Sequence, residues 1–299
     1  MNTTLATTLV QRWLDPARQV TAMRQLNGGM VNLVWAWRLD GEPGWLVAKI
    51  NTLDHYDTFA REMAELNWYR RRSSFPVPTP YACFADEQLN ISGLLMERVA
   101  GTNLADARLS PRGVASLQQQ MAVHVAGLHT HTRATFGPAG DGQPGQPRWL
   151  DVFTPVIERE FHAVREQLGS RARETAHHVI EHLGHWLPEQ ATPTLVHGDL
   201  WTTNILVDDA HADRPRLLAF IDPAATYADT EYELAYLRLF QTADETFFET
   251  YTQQHPLRPG FERRCRVYWL NTMLLHIRLF GDRYVAACED VTHQLRRLG

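Results

Sequence analysis

The spacing of the apolar residues changes once along this chain, and that change constrains its fold more than any other feature. Through residues 21–50 apolar and polar side chains alternate, as in Leu33-Val34-Trp35-Ala36-Trp37-Arg38-Leu39 and Trp45-Leu46-Val47-Ala48-Lys49-Ile50. The segment Asp40-Gly41-Glu42-Pro43-Gly44 separates the two runs, so they predict a β-hairpin. Residues 58–72 have helical spacing, with Phe59, Met63, Leu66 and Trp68-Tyr69 apolar, and Pro76, Pro78 and Pro80 stop that helix. Short strands at 81–85 and 93–96 complete an antiparallel sheet carrying one helix. Beyond them the pattern is mostly helical, with a long helix at 111–131 and one or two more within 150–187. A Gly/Pro-rich loop at 137–147 and short strands with polar turns at 194–223 interrupt it. A chain of 299 residues with this order predicts an α+β, two-lobed fold. The expected parts are a small antiparallel β-sheet lobe with one helix over residues 1–97, a hinge at 98–103 and a larger helical lobe over 104–299. A cleft between lobes is where small-molecule sites are common.

Of the 29 Lys and Arg residues, only Lys49 is a lysine. A Walker A loop needs Gly-Lys-Ser/Thr, and Trp45-Leu46-Val47-Ala48-Lys49-Ile50-Asn51 contains none. The Ser-x-x-Lys pattern of acylating serine enzymes fails as well, because Leu46 stands where the serine belongs. The formal charge of −5 gives no general support for nucleic-acid binding. Arg70-Arg71-Arg72 and Arg263-Arg264-Cys265-Arg266 read as solvated helix faces. Cys83, Cys265 and Cys288 are too widely spaced for a zinc or redox motif. No uncharged apolar run approaches the roughly 20 residues of a membrane span, and the N-terminus lacks a cationic leader. A cytoplasmic location without a membrane or nucleic-acid partner is expected.

The chemistry concentrates in Leu195-Val196-His197-Gly198-Asp199-Leu200-Trp201-Thr202-Thr203-Asn204-Ile205-Leu206-Val207 and in Leu217-Leu218-Ala219-Phe220-Ile221-Asp222-Pro223. Apolar residues flank each polar cluster, so short strands present Asp199, Asn204 and Asp222 from a rigid base. Phosphoryl transfer needs one carboxylate to orient the nucleophile, and an amide with a second carboxylate to hold the Mg2+ that bridges the ATP phosphates. An Asp followed five residues later by an Asn is the kinase catalytic-loop spacing. One Asp or Asn alone is explained by a capped turn, but the whole string is not. Upstream, Asn27-Gly28-Gly29 sits where backbone must approach phosphates, Lys49 would grip them, and Glu62 on the following helix would fix Lys49. Met96-Glu97-Arg98-Val99 falls where backbone groups between the lobes would read adenine. The expected ATP-binding residues are therefore Gly28, Gly29, Lys49, Glu62, Met96, Glu97 and Val99.

His197-Gly198-Asp199 resembles the catalytic string of kinase-like phosphotransferases such as the aminoglycoside and choline kinases. Within that group the chain is most similar to the fructosamine (ketosamine) kinase family. The likeness runs through Gly28-Gly29-Met30-Val31-Asn32, Lys49-Ile50-Asn51, His197-Gly198-Asp199-Leu200-Trp201 with Asn204, and Asp222-Pro223-Ala224. It continues through Tyr227-Ala228-Asp229-Thr230-Glu231-Tyr232-Glu233-Leu234-Ala235, Pro256-Leu257-Arg258-Pro259-Gly260-Phe261 and His276 to Tyr284. The resemblance implies a protein-kinase-like fold and ATP- and Mg2+-dependent phosphorylation of a hydroxyl on a small sugar-derived acceptor, most closely a ketosamine. Residues 138–148 depart from the family pattern, replacing polar hydrogen-bonding residues with Gly and Pro. That loop bears on acceptor identity rather than on phosphoryl transfer.

In this reading Asp199 is the base or orienter, Asn204 and Asp222 hold the metal, and Trp201, Asp229 and Glu231 meet the acceptor. Asp229, Glu231 and Glu233 would attract an amine, although acids at a helix N-terminus are common without any ligand. His178, His182 and His185 share a helical face but read as polar surface, as do His124, His129 and His131. His197 reads as a brace for the catalytic loop and His276 as a satisfied core histidine, with a cleft-facing place as the alternative. The rival functions are an aminoglycoside-like phosphotransferase, a nucleotide-binding pseudokinase and a Schiff-base enzyme built on Lys49.

Overall fold

The computed structural model describes residues 1–26, 32–140, 142, 144–187 and 191–298. In chain order its elements begin with helix α1 (Thr3–Trp13), strands β1 (Val20–Gln25), β2 (Leu33–Leu39) and β3 (Trp45–Thr52), helix α2 (Tyr56–Arg72), and strands β4 (Pro80–Asp86), β5 (Ile91–Glu97) and β6 (Thr102–Asn103). Helix α3 (Pro111–Leu128), strand β7 (Gly137–Pro138), helices α4 (Trp149–Val164), α5 (Ser170–Glu181) and α6 (Leu183–Trp186), and strands β8 (Thr194–Val196), β9 (Ile205–Asp208), β10 (Arg216–Phe220) and β11 (Thr226–Ala228) follow. Helices α7 (Thr230–Leu239), α8 (Glu245–Thr252), α9 (Phe261–Phe280) and α10 (Val285–Leu298) close the chain.

Contacts divide the chain into two compact units, one of Met1–Leu117 with Thr202–Ala224 and one of Gln118–Trp201 with Ala225–Gly299. The first unit holds a five-stranded antiparallel sheet in the order β1-β2-β3-β5-β4. One of its faces packs Trp37, Leu46, Ala48, Ile50 and Phe84 against Ala6, Leu9 and Val10 of α1. The apolar stripe of α1 has i, i+3, i+4 spacing, and Asn2 caps the helix by accepting from the Leu5 N–H at 2.9 Å. Because Leu46, Ala48 and Ile50 point to that core, Lys49 between them points to the opposite face. A second, three-stranded sheet in the order β10-β9-β6 also belongs to the first unit. Its strands β9 and β10 come from the segment after the catalytic string, whereas β6 comes from the stretch before α3.

The second unit is mainly helical and carries a three-stranded sheet in the order β7-β11-β8. Thr226 pairs with both Pro138 and Val196, so the loop at 138–148 leaves from a strand in the same sheet as the strand entering the catalytic string. The Gly145 backbone runs so close to the Thr135 side chain that a Cβ there would lie 2.1 Å from its Oγ1, and this accounts for a glycine at that point of the loop. The aromatic core is built of Phe136, Trp149, Phe153, Tyr232 and Tyr268, with ring centroids 5.3–6.1 Å apart across several edge-to-face pairs. Among the described residues no helix is long and apolar enough to cross a membrane.

Candidate active site

In the first unit, the Lys49 Nζ donates to Glu62 Oε1 and to Asp222 Oδ1, both at 2.5 Å. Strand β3 sends the lysine off the sheet, α2 supplies the glutamate, and the chain after β10 supplies the aspartate. That last segment is fixed from two sides. Phe220 stacks on Phe75 with centroids 4.3 Å apart and planes at 5°, and its N–H donates to Pro76 O at 2.8 Å. The Ile221 N–H donates to Asn204 O at 2.9 Å, which places the two expected metal residues next to one another. Asp222 itself is left-handed, with φ at 55°, a conformation that Asp tolerates better than most side chains and that clusters at functional sites.

Burial works against the charge of Lys49, yet the Asp222 and Glu62 carboxylates outweigh it and hold the ammonium pKa above its ordinary value. Glu62 is pushed upward, first by burial and then by repulsion from Asp222, with Lys49 opposing both. Asp222 is the more accessible carboxylate, its side chain 41% exposed against 12% for Glu62. Lys49 thus has one deep partner that positions it and one shallow partner able to serve a second cation. Asn51, which follows Lys49 on the strand, donates from Nδ2 to Asn32 Oδ1 at 2.9 Å.

An amide oxygen at Asn204 and a carboxylate at Asp222 are hard oxygen donors. Mg2+ is held by such a set through one or two carboxylates and substrate phosphates rather than by a full protein cage. Consistent with this, no cluster of three or more His, Cys, Asp or Glu able to hold a metal occurs among the described residues. The residues fit Mg2+ carried with a nucleotide. They do not form a zinc-type centre.

The expected nucleotide contacts fare unevenly. Gly28 and Gly29 lie outside the described residues. Met96 is buried in β5. Glu97 spends both its N–H and its carboxylate on Thr79, at 2.8 Å to Thr79 O, 3.0 Å from Thr79 N and 2.8 Å from its hydroxyl, so it braces the strand end. Val99 O accepts from Gly101 N at 3.1 Å.

In the second unit, β8 delivers His197-Gly198-Asp199. Gly198 has φ at 85°, a turn that only glycine makes without strain, and its N–H donates to Glu233 Oε2 at 2.8 Å. The Asp199 N–H donates to His197 Nδ1 at 3.3 Å, so the fully buried His197 braces the loop as expected. The Tyr236 hydroxyl donates to Asp199 Oδ1 at 2.6 Å, fixing the carboxylate. Sequence reasoning missed Tyr236. The available signal was its place one helical turn after Glu233, on the face of α7 that Glu233 turns to the catalytic loop.

His129 is corrected from polar surface to a buried bridge, with Nδ1 2.7 Å from the Tyr251 hydroxyl and Nε2 3.1 Å from Glu233 Oε1. Burial pushes the Glu233 pKa upward, but His129 and the Gly198 N–H outweigh it and hold the carboxyl below its ordinary value. His178 and His182 are exposed, as expected of polar surface.

The acidic run is also corrected. Asp229 and Glu231 are 1% and 2% exposed and already matched by arginines. Arg258 donates from Nη2 to both Asp229 oxygens at 2.7 Å and from Nε to Glu231 Oε1 at 2.9 Å. Arg264 donates from Nε to Glu231 Oε2 and from Nη2 to Oε1, and the Tyr268 hydroxyl donates to Asp229 Oδ2 at 2.9 Å. Asp229 also caps α7 by accepting from the Glu231 N–H. These acids hold the second unit together and offer no oxygen to an amine. For the same reason the Arg263 to Arg266 run is not a solvated face, since Arg264 is buried in that network. Trp201 is half-buried at the end of the catalytic string.

Because Lys49 is the single lysine, an amine-acylating reagent reads only this side chain and the α-amino group. Labelling of Lys49 is expected to be slow, and slower still with ATP and magnesium. Equal labelling with and without nucleotide, measured by peptide mass spectrometry, takes Lys49 out of the phosphate site.

The fructosamine kinase family matches this chain over residues 1–297. A probable ketoamine kinase of Enterococcus faecium is 28% identical over 192 residues, a match covering 58% of this chain and 65% of that protein, just under two thirds of its length. Ketosamine-3-kinase of Mus musculus is 25% identical over 320 residues, covering 97% of this chain and 99% of that protein. The crystal structure of a Thermobifida fusca protein assigned as a fructosamine-3-kinase superposes with a TM-score of 0.74 at 24% identity, over 97% of this chain and 98% of that one. That superposition establishes the protein-kinase-like α+β fold.

Proposed function

Because this chain belongs to the fructosamine kinase family, we propose that it transfers the γ-phosphoryl group of ATP to a sugar hydroxyl of a ketosamine. The observation that carries the chemistry is the junction of Lys49 with Glu62 and Asp222, with Asn204 tied to the residue before Asp222. Bound Mg2+ would neutralise the charge of the phosphates during transfer. Lys49 binds phosphate oxygens, Glu62 keeps it in place, and Asn204 and Asp222 would hold the metal. Asp199 accepts a hydrogen bond from the acceptor's hydroxyl and orients it for in-line attack. The transition state is loose, so placing that hydroxyl matters more than removing its proton early. The name of the mouse relative points to the 3-hydroxyl as the position phosphorylated. The three free cysteines fit a reducing cytoplasm as the place of action.

The test is release of ADP from ATP and magnesium on addition of a glycated lysine derivative, with choline, an aminoglycoside and a neutral sugar in parallel. Turnover is expected on the ketosamine and little on choline. Good turnover of the aminoglycoside or sugar, with no phosphate transferred to any ketosamine, overturns the acceptor and leaves only the kinase chemistry.

A further inference from the structure

With Asp229 and Glu231 matched by arginines, the second unit must recognise the amine half of an acceptor by other means. A line of rings leads away from Asp199 within that unit. The Tyr236 hydroxyl holds the Asp199 carboxylate, and its ring lies 4.7 Å from that of Phe240. Phe240 lies 5.3 Å from His276, which in turn lies 5.3 Å from Phe280 and 4.9 Å from Tyr284. All five rings are half-buried rather than enclosed. At the far end the Arg283 guanidinium stands 5.3 Å from the centroid of Phe280 and 5.1 Å from that of Tyr284. Arg283 is exposed and has no carboxylate within salt-bridge distance among the described residues.

His276 is set up to stay neutral. Its Nδ1 donates to Thr272 O at 2.8 Å, so in the uncharged ring Nε2 carries the lone pair. Burial lowers its pKa, and the Thr272 bond and the charge of Asp199 oppose this without reversing it, while Arg283 adds to the lowering. The strip therefore presents, in order from Asp199, aromatic rings, one neutral acceptor nitrogen and one guanidinium with no carboxylate partner among the described residues. Aromatic faces take an alkylammonium group by cation–π attraction, and a guanidinium fork takes a carboxylate.

We propose that this strip binds the amine half of the acceptor and that Arg283 takes a carboxylate carried by it, so that the preferred acceptors are ketosamines of free amino acids. The proposal rests on the ketosamine reading above. The secondary ammonium lies against Phe240 and His276, with the His276 Nε2 accepting one of its N–H bonds. The carboxylate then reaches Arg283, and the sugar half is left toward Asp199.

The probes are a fructosylated free amino acid, such as fructosyl-leucine, and its carboxamide, which differs in losing the negative charge. They are compared on the wild type and on Arg283→Gln, with an unchanged melting temperature as the check on folding. For the acid, kcat/KM is expected to fall about 10- to 100-fold in the variant, the usual range for a lost charge-assisted hydrogen bond, and to do so through KM. For the carboxamide it should change by less than about twofold, since no charge is there to pair. If Arg283→Gln leaves the acid unchanged, or weakens acid and carboxamide alike, the carboxylate site is wrong while the ketosamine reading stands. If the wild type phosphorylates neither probe nor any other ketosamine, both fall together.

Discussion

Asp199→Asn is expected to lower turnover about 10²- to 10⁴-fold, the usual share of a general base, while nucleotide binding stays as in the wild type. The substitution is a clean one in this structure. An asparagine keeps the oxygen that accepts from the Tyr236 hydroxyl, and the backbone bonds that shape the loop, from Gly198 N–H to Glu233 and from Asp199 N–H to His197, do not involve the carboxylate. What is lost is the negative charge that attracts the acceptor's proton. The residues proposed to bind the nucleotide and its metal are separate, since Lys49, Glu62, Asn204 and Asp222 belong to the first unit and Asp199 to the second. Asp222→Ala should therefore do the opposite, abolishing magnesium-dependent binding of ATP by removing both the proposed metal ligand and a partner of Lys49. Calorimetric nucleotide titration and a coupled assay on a confirmed ketosamine separate the two. Full turnover in Asp199→Asn, or normal Mg-ATP binding in Asp222→Ala, ends this division of roles.

The residues of the candidate site were largely readable from the sequence, because phosphoryl transfer demands residue types at fixed spacing along short segments. Asp199, Asn204 and Asp222 lie within one stretch of chain, and a unique strand lysine followed by a helical glutamate needs only local structure to be recognised. The hairpin and α2 were equally plain, since β2 and β3 fold as an alternating pair and α2 buries one face. Other features depend on partners that spacing does not reveal. Asp229 and Glu231 look like acids at a helix start, and their arginines come 29 and 33 residues later. His129 meets Glu233 across 104 residues. Helix α1 was missed because four threonines in its first eight residues dilute a stripe of only three buried side chains. The two-residue strand β6 is too short for any pattern, and it becomes a strand only by pairing with β9.

The buried acids yield the second large effect, on stability rather than turnover. Glu231→Ala is expected to cost about 3–5 kcal/mol, the range for breaking a buried ion pair by removing one partner. The loss exceeds a surface salt bridge because Glu231 is 2% exposed and accepts from both Arg258 and Arg264, so its removal takes the carboxylate from the buried Arg264, while Arg258 keeps Asp229. Replacing Glu231 and Arg264 together by leucine should recover part of that cost, since a matched apolar pair leaves less charge stranded. The pH dependence follows from the same contacts. Burial raises the Glu231 pKa, but Arg264 and Arg258 outweigh it and hold the carboxyl below its ordinary value of 4.5 in the folded state. A depressed folded pKa means that the unfolded chain binds the proton more readily, so this contribution is complete above about pH 4.5 and is lost as pH falls through the folded value. Urea unfolding followed by tryptophan fluorescence from pH 7 down to 3 reads both effects. Wild-type stability should decline on the acid side, and Glu231→Gln, which has no carboxyl to protonate, should decline less steeply. A Glu231→Ala midpoint within about 1 kcal/mol of wild type, the level of an exposed pair, would show that this network does not hold the second unit together.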